Sequence, residues 1–206
     1  MRRAIESGRW AEALELLDEA GEAARTPELL ELRARAAYGN GDFEASITAW
    51  EDLHTVFRDT GDTGGAARAA AMVAMFLMID TALMAPVRGW LRRADRQLEG
   101  DPDNPAIAAV SAVRNYERFM CGDVAAAVEQ SLRAVELGRL HHDIAAEVIG
   151  RTAGARVSIQ QGDLAGGLER LDELGARLMS GEVDPLTTGM MLCELVCAAQ
   201  GLALYD

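Results

Sequence analysis

Apolar residues recur along the chain at spacings of three and four, and one short phrase interrupts them repeatedly. The phrase is a glycine, a polar residue, an apolar residue, then small residues at fixed offsets. It reads Gly8-Arg9-Trp10-Ala11-Glu12-Ala13, then Gly41-Asp42-Phe43-Glu44-Ala45-Ser46. It returns as Gly122-Asp123-Val124-Ala125-Ala126-Ala127 and Gly162-Asp163-Leu164-Ala165-Gly166-Gly167. A degenerate copy begins at Ala82, with Met84, Val87, Leu91 and Ala94 in the matching places. The starts lie 33, 41, 40 and 40 residues apart. A steady period of this length predicts a solenoid of helical hairpins.

Each part of the phrase has a physical task. The glycine reverses the chain with positive φ where one helix ends. Two residues on, Trp10, Phe43, Val124 or Leu164 packs across the turn. Three further, a small side chain (Ala13, Ser46, Ala127 or Gly167) lets two helices approach closely. Four later, Leu17, Trp50, Ser131 or Leu171 returns to the same helical stripe. Pro27, Pro105 and Pro185 open helices that precede phrases, with Asp103-Asn104 and Asp184 as caps. The pattern predicts one all-α domain over residues 1–206, a right-handed helical-hairpin solenoid. Its repeats run roughly 1–25, 27–60, 62–100, 104–140 and 142–180, with an unpaired C-terminal helix in a partial repeat 184–206.

The offsets zero, two, five and twelve in Gly8, Trp10, Ala13 and Ala20 resemble the tetratricopeptide repeat. Gly122, Val124, Ala127 and Ala134 match closely. Gly41 carries Phe43, Ser46 and Leu53, and Gly162 carries Leu164, Gly167 and Leu174. Most repeats here run near 40 residues instead of the family's 34 or so, and Ala82 stands where a turn glycine belongs. The longer period, with the stretch from Gly181 through Asp184-Pro185 and Gly189 into Cys193, is similar to the repeat regions of large bacterial signalling proteins. These include regulators with a LuxR-type helix-turn-helix and cyclase-linked relatives. The resemblance implies a protein–protein interaction or assembly module, the sensory or scaffolding part of a bacterial transcriptional or signalling regulator. A free-standing adaptor that holds a peptide or helix in its concave groove stays open as an alternative. So does an enzyme with an unrecognised site, although no catalytic constellation can be assembled from the sequence.

Composition narrows this picture. Half of the residues are apolar but only 5% are aromatic, which favours helix over strand. The net charge is −13 and every one of the 20 basic residues is arginine. An acidic chain without a basic run is poorly suited to direct nucleic-acid contact. Cys121, Cys193 and Cys197 are odd in number and fall in helical patterns, so they are not a disulfide framework. The apolar run Ala66 to Val87 is broken by Arg68, Asp80 and Pro86 and reads as a buried helix, not a membrane span. The N-terminus lacks the apolar stretch of a signal peptide, so a cytoplasmic protein is expected.

If the hairpins stack as in the family, the first helix of each pair lines a concave groove. Counting back from each turn places Glu31, Arg35 and Tyr38 there, then Met72 and Phe76 with Ile79, Tyr116 and Phe119 with Ala112, and Thr152 and Arg156 with Ile159. Such a lining suits a protein or peptide partner. The competing reading makes Phe76, Phe119 and Ile159 core and leaves only the tyrosines and arginines exposed. The carboxylate-gripping Lys, Asn and Arg set of chaperone-binding members is not matched at these places. Leu192, Leu195, Val196, Ala199 and Leu202 form an apolar face on the last helix, a candidate interface that includes self-association. Cys193 and Cys197 share a helix face but have no second pair nearby, and His141-His142 is a poor chelate. No metal and no cofactor is therefore expected.

Overall fold

The computed structural model describes residues 1–21 and 26–202. The ends of the first and last expected repeats, at 22–25 and 203–206, lie outside the described residues. Among those described there are eleven α-helices and no strand. They are α1 (Arg2–Glu6), α2 (Trp10–Glu19), α3 (Pro27–Gly39), α4 (Phe43–Thr60), α5 (Thr63–Thr81) and α6 (Met84–Gln97). Then come α7 (Ala106–Met120), α8 (Val124–Leu140), α9 (Ile144–Gln160), α10 (Leu164–Met179) and α11 (Pro185–Gly201). The chain divides into two compact units, Met1–Val110 and Ser111–Asp206, and α7 runs through the division.

The turns explain the pattern of the sequence. Gly41 has φ 84°, and Ala82, the residue without a glycine's freedom, takes the same left-handed conformation at φ 53°. The residue after the turn glycine is an N-cap. Asp42, Asp123 and Asp163 accept hydrogen bonds from the amides of Ala45, Ala126 and Gly166 at 3.0, 3.3 and 3.1 Å. Asp62 and Asp143 do the same for α5 and α9, where no proline opens the helix. Each cap satisfies an amide that the first helical turn leaves unpaired.

In the first unit each helix from α1 to α6 packs on its sequence neighbour, and α1 also touches α3. The small positions sit at these contacts. Ala13 and Ser46 have no exposed surface, and the Ser46 hydroxyl donates to the Ala34 carbonyl at 2.8 Å. The degenerate copy keeps its register, for Val87, Leu91 and Ala94 are all buried. Helix α5 is buried on nearly every side, through Ala66, Ala70, Val73, Ala74 and Phe76 among others. It is long and apolar enough to cross a membrane by length and composition, and most of that stretch is buried within the unit.

In the second unit α8 packs on α9, α9 on α10 and α10 on α11, and α11 also reaches α9. Ala127, Ala134 and Gly167 lie at the crossings. A Cβ on Gly167 would stand 2.3 Å from Ile159 Cγ1 and 3.0 Å from the Ala155 carbonyl oxygen. The Ser131 hydroxyl donates to the Gly150 carbonyl at 2.8 Å and so ties α8 to α9. One sequence expectation needs correction here. Cys121 lies in the turn after α7, not in a helix, and all three cysteines are exposed. A thiol at a helix position joins the core only if its stripe faces a neighbour.

Candidate functional site

In the first unit the expected groove residues come from α3 and α5. Arg35 pairs with Glu31 one helical turn away at 2.8 Å, both partly exposed. The Tyr38 ring lies 4.7 Å from that of Phe76 and 5.3 Å from that of Phe43. Phe76 is 0% exposed, so it belongs to the core and not to a solvent-facing lining. Met72 is half-buried. The ring contact between Tyr38 and Phe76 joins the end of α3 to α5, while each helix packs along its length on α4.

In the second unit α7, α9 and α11 bring five residues together, Tyr116, Phe119, Arg156, Met191 and Glu194. The Arg156 guanidinium lies 5.1 Å over the Phe119 ring and forms an ion pair with Glu194 of α11. Tyr116 is 6% exposed, with its hydroxyl 3.9 Å from the Met191 sulfur. Burial, and next the Glu194 charge, hold the Tyr116 phenol far above its ordinary pKa, with Arg156 opposing. Thr152 is fully buried and its hydroxyl donates to the Val148 carbonyl at 3.0 Å, the local bond that hides a hydroxyl inside a helix. Tyr116 and Thr152 are thus packing residues, whereas Arg156 and Phe119 remain partly exposed.

The last helix uses much of its apolar face internally. Leu192, Leu195, Ala199 and Leu202 are half-buried, and Leu195 lies against Gly175 of α10. Val196 is the member that stands out, at 55% exposed. Cys193 and Cys197 lie one turn apart on the same helix. Partial burial, then the neighbouring Cys197 thiol and the Glu194 carboxylate, raise the Cys193 pKa. Among the described residues no group of three or more His, Cys, Asp and Glu side chains is placed to hold a metal ion.

A cluster that the sequence reading did not single out lies on the other side of α9. Glu147 is buried and meets three arginines: Arg151 at 2.8 Å, Arg139 of α8 at 3.1 Å and Arg177 of α10 at 3.2 Å. Burial alone would raise the Glu147 pKa. The hydrogen bonds from Arg177 and Arg139, with the charges of Arg151 and Arg177, outweigh it and hold the carboxyl below its usual range. Arg139 and Arg151 also line a cleft of about 460 Å³ between α8 and α10, floored by α9. The i,i+4 spacing of Glu147 and Arg151 was visible in the sequence. The partners on α8 and α10 stand 8 and 30 residues away, and no local pattern announces them.

No protein-family model matches the chain, and no characterised protein matches it significantly.

Proposed function

We propose that the chain is a protein–protein interaction and assembly module, the sensory or scaffolding part of a bacterial transcriptional or signalling regulator. The observation that supports the reading most directly is the ring contact between Tyr38 at the end of α3 and Phe76 of α5, with centroids 4.7 Å apart. Glu31, Arg35 and Met72 offer partly exposed charge and a flexible apolar side chain on these two helices. Repeated helical hairpins present surfaces of this kind to partners, and methionine adapts to varied apolar contacts.

The test is cross-linking and mass spectrometry on the native protein in its own cells, comparing wild type with Arg35→Glu combined with Met72→Gln. Both side chains are partly exposed, so the double variant should melt near the wild-type temperature. Loss of the cross-linked partner at unchanged melting supports the reading. A wild-type chain that cross-links to no protein, or a partner retained by the variant, counts against it.

A further inference from the structure

The cleft between α8 and α10 has the chemistry of a ligand site. Its volume, about 460 Å³, lies within the range of small-molecule pockets. Its walls are aliphatic: Val128, Leu132 and Val135 from α8, and Leu174 from α10. Its floor is cut low by Gly154 and Ala155 of α9. A Cβ on Gly154 would stand 2.6 Å from the Ser131 hydroxyl oxygen, so the absence of a side chain is what seats α8 on α9 here. Leu132 is 66% exposed in this concave wall, an apolar side chain whose coverage by a ligand would be favourable.

The polar side of the cleft is rich in arginine. Arg139, Arg151 and Arg170 line it, against one lining carboxylate, Glu173. The guanidiniums are held in place and not left to wander. Arg139 and Arg151 are anchored on Glu147, and Arg170 donates to the Ser158 hydroxyl at 2.6 Å. A guanidinium has five N–H donors in a planar fork, and these anchors use only some of them. Counting Glu147, Glu173 and Asp163, which meets Arg170 at 3.7 Å, the three arginines are balanced by three carboxylates, so the cleft is locally neutral on a chain of net charge −13. Guanidiniums fixed in this way favour planar carboxylates over spherical anions.

We propose that this cleft binds a small amphipathic carboxylic acid, with its alkyl body against Leu132 and Leu174 and its carboxylate at Arg151 and Arg170. The site is independent of the partner surface on α3 and α5 and adds a small-molecule input to the same chain.

The probe is octanoate, titrated into the full chain and followed by amide NMR shifts, with acetate and 1-octanol as controls. Saturable shifts should map to the edges of α8, α9 and α10, with octanoate at least tenfold tighter than either control. Arg170→Gln and Leu132→Gln alter exposed side chains and leave the fold intact, and each should weaken octanoate about tenfold. Affinity equal to that of 1-octanol means that the arginines do not read the charge and overturns the proposal. So do unchanged affinity in both variants, shifts located elsewhere, or no saturable octanoate binding even where a carboxylate-bearing peptide binds.

Discussion

Ala82 and His142 hold left-handed backbone at φ 53° and 57°, at turns where other repeats place glycine. A Cβ in that conformation costs roughly 1–2 kcal/mol. Ala82→Gly should therefore stabilise the protein by about 1 kcal/mol, offset in part by the extra freedom of glycine in the unfolded chain. Thermal unfolding checks this, and a lower melting temperature would show that the turn is not strained. The helical glycines divide by what surrounds them. Gly89 of α6 has open space where a Cβ would go, whereas a Cβ on Gly138 of α8 would meet the Glu147 amide nitrogen at 2.7 Å and the Asp143 carbonyl oxygen at 3.0 Å. Gly89→Ala should stabilise by roughly 0.5–1 kcal/mol through helix propensity. Gly138→Ala should destabilise by about 1–3 kcal/mol, because backbone cannot step aside as a side chain can. Chemical denaturation of the two variants should shift in opposite directions. At this scale the sequence was legible at the turns and small positions. It was silent on burial: nothing in the local pattern distinguishes a core Tyr116 from an exposed one.

At the scale of helices, Glu147 joins α8, α9 and α10 through Arg139, its own helix's Arg151 and Arg177. Its carboxyl stays ionised to lower pH in the folded protein than in the unfolded chain. The stabilisation is fully present above the ordinary glutamate pKa of about 4.3. It is lost as pH falls from there through the lower folded value, because the unfolded chain takes the proton first. Glu147→Gln should cost about 1–3 kcal/mol at neutral pH. It should also flatten the acid side of the stability curve, read by urea unfolding between about pH 6 and pH 3. A variant whose acid limb matches wild type would remove Glu147 as the source. The hairpins themselves were legible as elements, since glycine, cap and apolar residue recur in order. The three-helix ion cluster was not, because its members meet only after the hairpins have packed.

For the molecule as a whole, a net charge of −13 dominates. Self-repulsion among carboxylates opposes the compact state. Raising salt from about 20 mM to about 200 mM shortens the Debye length below the spacing of most surface charges. The melting temperature should rise over that range, and a fall would show that surface ion pairs outweigh the repulsion. The chain divides into two compact units, Met1–Val110 and Ser111–Asp206. The repeat period stays near 40 residues across the division, and α7 passes through it without a break, so no linker composition marks the place.

The aspartate caps carry a consequence for how such a chain is assembled over generations. Several spans bring their own start signal, as Asp123 does for α8 and Asp143 for α9, whereas α2 and α6 begin without a side-chain cap. A stretch of gene copied or excised between two aspartate-capped turns therefore leaves the helices at its ends with their opening hydrogen bonds, which α2 and α6 lack. Where such a cap is present, a helix keeps its start signal whatever segment precedes it.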